Sequence, residues 1–290
     1  MSFEDYLKLR GYSFGTIKTF VSNTHYFLEW LTKQSMNPEE VRQADILSYM
    51  KHTHKKESIS QRTIQHRVIM LRHYFDHLVE LKRLEHNPAA GIKVQGVKRK
   101  TLHRILEAPE LNGLYNNYEV ATHSEKRNKV ILGLLVYQGL KSEDLFRLQV
   151  NDIKLREGKV EVPGSKRTNA RTLQLESHQV LDVYEYVMKV RPEILQLSKE
   201  TTNQLFVGLE GGKHQSHFVQ NVLKQLRKTH PKLENPDQLR ASVIVKWLRQ
   251  YNLREVQYLA GHRYISSTEA YQQNEMQGLS EEVNQFHPLG

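Results

Sequence analysis

Between residue 14 and Leu84 the apolar side chains recur at helical spacing, and nowhere do they alternate as a half-buried strand would. That pattern commits the first third of the chain to packed helices. Over 14–32, Ile17, Phe20, Val21, Phe27, Leu28 and Leu31 fall on one face. Pro38-Glu39-Glu40 marks a helix start leading to Ile46, Leu47 and Met50. Ser60 is placed to cap a long helix running to about Leu84, with Ile64, Val68, Leu71, Phe75, Leu78 and Val79 inward. Asn87-Pro88 stops it, because a residue before proline is driven out of helical geometry.

Beyond that point the pattern changes twice. Residues 89–104 are basic, hold two glycines and lack periodicity, as expected of an extended linker. From 105 helical stretches return, at Glu107–Tyr115, Glu125–Tyr137, 177–190, 215–228 and 236–278, the last broken near Asn252 and Gly261. Among them lie three short β-like runs, Asp152–Leu155, Lys159–Val162 and Arg171–Leu175, with turn signals at Glu157-Gly158 and Pro163-Gly164. The expected fold is mainly α, with a helical bundle over 1–88, a linker over 89–104 and a mostly helical domain over 105–290 that carries a small antiparallel sheet.

Charge narrows the class of partner. The chain carries a net charge of +10, and residues 1–100 hold 17 Lys/Arg against 10 Asp/Glu, so the excess is concentrated in the N-terminal part. Such a balance favours a polyanion. With no cysteine, disulfides, thiolate catalysis and Cys-ligated metals are excluded. Neither a signal peptide nor an apolar run of membrane-spanning length is evident, which points to a cytoplasmic protein with no membrane partner.

The chemistry concentrates near the end of the chain. Leu239-Arg240, Leu259-Ala260-Gly261-His262 and Tyr271 follow one another in that order, with Tyr271 nine residues after His262. Arginine grips a phosphate with a planar fork of donors. Histidine can donate to a phosphate oxygen or exchange a proton near neutral pH. A tyrosine hydroxyl can become a covalent nucleophile once it loses its proton. Any one of these residues alone is more often structural; the chain has 14 tyrosines, with Tyr258 and Tyr264 close by, and only the offset from His262 selects Tyr271.

This order and spacing resemble the C-terminal motif of the tyrosine recombinases, the phage-integrase family. Their pattern runs His-x-x-Arg, then Leu-Gly-His, then Tyr nine residues on. Upstream, Gln138-Gly139-Leu140-Lys141-Ser142-Glu143-Asp144-Leu145 resembles the family's Thr-Gly-Leu-Arg-x-x-Glu-Leu, and the segment from Ser165 to Arg171 resembles the β-hairpin bearing its catalytic lysine. The resemblance implies a core-binding N-terminal domain and a catalytic C-terminal domain closing round double-stranded DNA as a C-shaped clamp. It implies a homotetramer on two DNA sites, with strands cut through a 3′-phosphotyrosine and rejoined without cofactor or metal. By the same resemblance Lys166 would protonate the departing 5′-oxygen, the linker would contact DNA phosphates, and the Ser280–Gly290 tail would touch a neighbouring subunit.

Two positions depart from the family pattern. Lys141 stands where the family has Arg, keeping the charge but losing the bidentate fork. Asp237 stands where the family has His; an ionised carboxylate repels a phosphate, though it can accept from Arg240 or Lys166 and orient them. These departures leave two alternatives open: a catalytically weakened relative that binds DNA as an accessory or regulator, and a topoisomerase-like enzyme acting on a single duplex. A helical repressor outside the family would leave the spacing unexplained. Separately, His66, His73, Asp76 and His77 lie at helical spacing, and His73/His77 are four apart as in some metal sites. A polar or DNA-facing stripe is the simpler expectation, since no Glu sits within His-x-x-x-His.

Overall fold

The computed structural model describes residues 1–97, 104–199, 201–208 and 216–273. It is mainly α with one small antiparallel sheet, as the sequence patterns require. The chain divides into two compact units, Met1–Lys100 and Thr101–Gly290.

The first unit is built on helices α1 (Phe3–Leu9), α2 (Phe14–Lys33), α3 (Gln43–Glu57) and α4 (Gln61–Glu80). Ser2, Ser13 and Ser60 cap α1, α2 and α4 by accepting from the backbone N–H of Asp5, Thr16 and Thr63. The apolar stripes of α2, α3 and α4 meet in one core containing Phe27, Leu31, Ile46, Leu71 and Phe75. Val21, expected on the apolar face of its helix, is exposed instead, and so is Leu47. Pro38–Glu40 is a single 3₁₀ turn, and α3 starts beyond it. Helix α4 ends at Glu80, earlier than the periodicity suggests. Lys82 turns left-handed (φ 57°), and Lys82 N and Arg83 N donate back to Val79 O and Leu78 O. A lysine in that conformation gives no glycine signal to read.

The periodicity also overlooks α1, which is too short to show a stripe. Tyr6 and Leu7 bury against Ile17 and the flank of α4. This helix changes the meaning of the histidine stripe. His77 is buried and bonds the Met1 carbonyl at 3.1 Å, and His73 bonds the Tyr12 hydroxyl at 3.0 Å. Rings of Phe3, Tyr6 and Phe20 surround them. These two histidines serve the interior, so the expected polar or DNA-facing stripe is corrected at both; only His66 is exposed. The presumed linker likewise begins inside the bundle: Ala89 and Ile92 are buried in its core, and Arg72 donates to their carbonyls.

The second unit is organised round α6 (His123–Val136), which is buried on every face from Val130 to Val136. A helix apolar all round is a core helix. Against it lie α5 (Ala108–Asn116), α8 (Ser177–Glu185), α10 (Ser216–Thr229) and α11 (Pro236–Leu248). Helix α8 runs through a π turn, Tyr186–Val190, into α9 (Arg191–Ser198). The sheet has strands β1 (Ile153–Lys154), β2 (Lys159–Val162) and β3 (Arg171–Gln174), all antiparallel, with Val160 opposite Leu173 and Val162 opposite Arg171. Its inner residues Val160, Val162 and Leu173 face the core. The one-turn helix α7 (Ser142–Leu145) precedes the sheet; α12 (Leu253–Ala260) and a final helical segment over 266–273 follow α11. Among the described residues, no helix is long and apolar enough to cross a membrane.

Candidate active site

The site forms where α11, the turn after α12 and the segment over 266–273 converge on the start of α7. Arg240 lies one turn into α11, in a helix capped by Asn235. Only 3% of it is exposed, so its position is set by hydrogen bonds and not by solvent. Its Nη1 donates to Gly139 O at 2.5 Å, and its Nη2 donates to Ala260 O at 2.7 Å and meets His262 Nε2 at 3.2 Å. Its Nε is buried without a hydrogen-bond partner among the described residues. Burial pulls Arg240 below the ordinary guanidinium pKa, while the neighbouring Tyr271 hydroxyl works the other way. A guanidinium nevertheless stays charged in proteins, so the buried site keeps a fixed cation with donor capacity to spare.

His262 follows Gly261, which ends α12 in the left-handed region at φ 67°. Alanine would not fit there: a Cβ would come within 2.5 Å of Arg171 Nη1. The turn so formed buries the His262 ring (7% exposed) and sets its Nδ1 2.9 Å from Thr268 Oγ1. The ring stacks on that of Tyr271, with centroids 5.8 Å apart and planes 15° from parallel. Burial first, then Arg240, Lys141 and Arg171, push the His262 pKa down to about 3. At neutral pH it is an uncharged imidazole inside a ring of cations.

Lys141 is half-buried at the N-cap of α7. Burial lowers its pKa, Arg240 lowers it further, and Asp144 and Glu143 act to raise it. Arg240, His262, Lys141 and Tyr271 therefore share one electrostatic neighbourhood. Lys166 is exposed in the loop joining β2 to β3, and the backbone of that loop is fastened to the His262 turn. Thr168 pairs with His262, Asn169 N donates to Gly261 O at 3.0 Å, and Arg263 Nη1 donates to Lys166 O at 2.6 Å. Asp237 is exposed in the first turn of α11, three residues before Arg240, where a carboxylate also complements the helix N-terminus. Asp144 is a carboxylate that acts on Arg240.

Three supporting residues escape a reading by motif. Asp144 and Arg171 form a buried ion pair at 2.9 Å, and Arg147 closes on the other Asp144 oxygen at 2.7 Å. Burial would raise the Asp144 pKa, but Arg171 and the Lys141 backbone N–H prevail and lower it. Both residues stand inside recognisable sequence blocks, yet nothing in the sequence says that they touch. Thr268, fully buried, is the third. No sequence signal sets it apart from other helical threonines.

Residues 104–278 match the model described as "Phage integrase family", and residues 1–83 match "Phage integrase, N-terminal SAM-like domain". The chain belongs to the phage integrase family. Similar family members include a tyrosine recombinase XerD of Listeria monocytogenes, 26% identical over 98% of this chain and 98% of that relative. A tyrosine recombinase XerC of Bacillus subtilis is 27% identical over 99% of this chain and 95% of its own. The phage-integrase fold is shared with XerH site-specific recombinase bound to difH substrate, at TM-score 0.70 and 16% identity, covering 92% of this chain and 79% of that one. It is shared also with a lambda integrase dimer bound to a COC′ core site, at TM-score 0.65 and 14% identity, covering 92% and 74%. Membership carries the coarse activity of the family, site-specific recombination by DNA strand transfer.

Proposed function

We propose that the chain cuts and rejoins duplex DNA at specific sites through a 3′-phosphotyrosine on Tyr271. The observation that carries this reading is the placement of Tyr271 beside buried Arg240 and stacked on His262. In the proposed step Tyr271 Oη gives its proton to solvent water and attacks phosphorus as the bond to the 5′-oxygen breaks. Charge building on the non-bridging oxygens is met by Arg240 and Lys141, and fixed cations in a water-poor site are usually the largest catalytic contribution. The Lys166 ammonium gives a proton to the departing 5′-oxygen, as a general acid must if the leaving group is to go as an alcohol. The phosphodiester energy stays in the Tyr–phosphate link, so rejoining needs no nucleotide.

Duplex DNA is the expected partner. The DNA-bound states of XerH and lambda integrase support that expectation, as does the positive charge of residues 1–100. Residues 1–88 are proposed as the core-binding domain, 105–290 as the catalytic domain and a homotetramer on two DNA sites as the working form, acting in the cytoplasm. The subunit contact expected of the Ser280–Gly290 tail, like the central part of the linker, lies outside the described residues. Asp237 is proposed to accept from Arg240 or Lys166 and orient them.

The test is recombination between two copies of the chain's own DNA site on one plasmid, the site being found by mapping where the protein binds. Segment excision or inversion that persists in chelator is expected, because the proposed groups are cations and a phenol. Relaxation without exchange would favour the topoisomerase-like reading, and binding without cleavage the accessory one. Activity lost to chelator and restored by a divalent ion would refute the mechanism.

A further inference from the structure

Lys166 stands on a turn that is closed on itself and fastened at three places. Ser165 N donates to Thr168 O at 2.8 Å, and Ser165 Oγ accepts from Arg167 N at 3.0 Å and from Thr168 N at 3.1 Å. Residues 165–168 therefore form one unit. On one side Arg147 Nη1 donates to Gly164 O at 2.7 Å. On the other, Asn169 N donates to Gly261 O at 3.0 Å and Asn169 Nδ2 to His262 O at 3.3 Å. The third fastening is Arg263 Nη1, which donates to the carbonyl of Lys166 itself at 2.6 Å. Its donor is a cation, which strengthens the bond. Arg263 has a fixed base, because Gln257 Nε2 of α12 donates to His262 O at 3.2 Å and to Arg263 O at 3.4 Å. The side chain that holds Lys166 thus springs from the residue next to His262.

We infer that Arg263 is a positioning residue for strand cleavage: by holding the Lys166 carbonyl it sets where the Lys166 ammonium meets the departing 5′-oxygen. Lys166 is exposed, and lysine ends in a point charge on a flexible four-carbon stem. Where such a charge can reach is decided by where its backbone is held. Arg263 ties that backbone to the turn that carries His262, so the proton donor and the buried groups share one frame before DNA arrives. The competing role for Arg263 is a direct contact with DNA phosphate, which would act on binding or on the charge at phosphorus and not on the leaving group. The inference rests on the function proposed above, in which Tyr271 Oη bonds to phosphorus, the bond from phosphorus to the 5′-oxygen breaks, and that oxygen takes a proton from Lys166.

Replacing the bridging 5′-oxygen by sulfur separates these roles. A thiol is about as acidic as a cysteine side chain, with a pKa of about 8.5, so sulfur departs as a thiolate and needs no proton donor. Single-turnover cleavage of nicked duplex at saturating full-length protein is followed with each bridging atom for wild type, Arg263→Ala, Lys166→Ala and the double variant. Arg263 is exposed, so its truncation leaves the core intact. Arg263→Ala should cut the oxygen substrate about tenfold more slowly, the low end for one hydrogen bond from a charged donor, and the sulfur substrate at the wild-type rate. On oxygen the double variant should be no slower than Lys166→Ala alone, because residues acting through one group are not additive. Equal slowing of Arg263→Ala on both substrates, or no slowing on either, would overturn the inference, as would losses that multiply in the double variant. A Lys166→Ala loss that sulfur restores, beside an Arg263→Ala loss that it does not, would refute the inference alone. A Lys166→Ala loss that sulfur fails to restore would refute the proton-donor role in the proposed function, and the inference with it.

Discussion

Arg171 and Asp144 meet at 2.9 Å with side chains 0% and 1% exposed, an ion pair removed from water at the base of the candidate site. Burying a lone charge is costly, so each depends on the other. The pair ties β3 to α7, and through Gly261, whose Cα lies against the Arg171 guanidinium, it sets the depth of the His262 turn.

Gly261→Ala is therefore expected to act well beyond a helix end. The left-handed backbone (φ 67°) costs an L-residue roughly 1–2 kcal/mol. The new methyl group would also lie 2.5 Å from Arg171 Nη1, forcing apart an ion pair whose rupture costs about 3–5 kcal/mol. Denaturant unfolding should show a loss between about 1 kcal/mol, if Arg171 yields freely, and about 7 kcal/mol, if the pair is broken. A change under about 0.5 kcal/mol, the scale of neutral surface substitutions, would show that the turn does not lean on Arg171.

Acid should loosen the site through His262. Burial, then Arg240, Lys141 and Arg171, depress its folded pKa from 6.5 to about 3. The unfolded chain takes up a proton near the ordinary value while the folded chain refuses it. Stability is thus full above the unfolded pKa and falls as pH drops from 6.5 toward 3, by at most about 1.4 kcal/mol per pH unit. His73, whose pKa burial also lowers, adds a slope of the same sign from the first unit. Stability of wild type minus that of His262→Gln, followed from pH 7.5 to 4.5, isolates the His262 share and should decline below about 6.5. A difference independent of pH would mean that the folded ring titrates normally.

Lys141 is the cation that replaces the family's arginine. If it faces the transition-state charge, Lys141→Ala should slow cleavage of nicked duplex by about two to three decades, the usual loss for one such donor. Lys141→Arg should equal or exceed wild type by restoring the fork. Asp237→His should be tolerated, since Asp237 is exposed one turn before Arg240. Equal rates for wild type, Lys141→Ala and Lys141→Arg would remove Lys141 from the site.

Most of the helices, the three strands and the gathering of Arg240, His262 and Tyr271 were legible in the sequence because they rest on local signals: periodicity, caps such as Ser60 and Asn252, and fixed spacing. What was not legible depends on contacts between distant segments. Helix α1 is too brief for a stripe, so His73 and His77 read as a polar face until Phe3, Tyr6 and Tyr12 are seen covering them. The end of α4 is set by a left-handed lysine, not by glycine. Asp144 and Arg171 are 27 residues apart, and only the fold pairs them. Thr268 looks like any helical threonine until its hydroxyl is found against His262.

Covalent trapping decides whether Tyr271 is the nucleophile. Of its near neighbours in sequence, Tyr258 accepts a hydrogen bond from Thr172 N, and Tyr264 is 71% exposed with no ring contact to His262. Nicked duplex carrying the chain's own site should yield a denaturant-stable protein–DNA adduct whose phosphate maps by peptide mass spectrometry to Tyr271. Tyr271→Phe should abolish the adduct while binding survives. An adduct that persists in Tyr271→Phe, or that maps to Tyr264, would contradict the account.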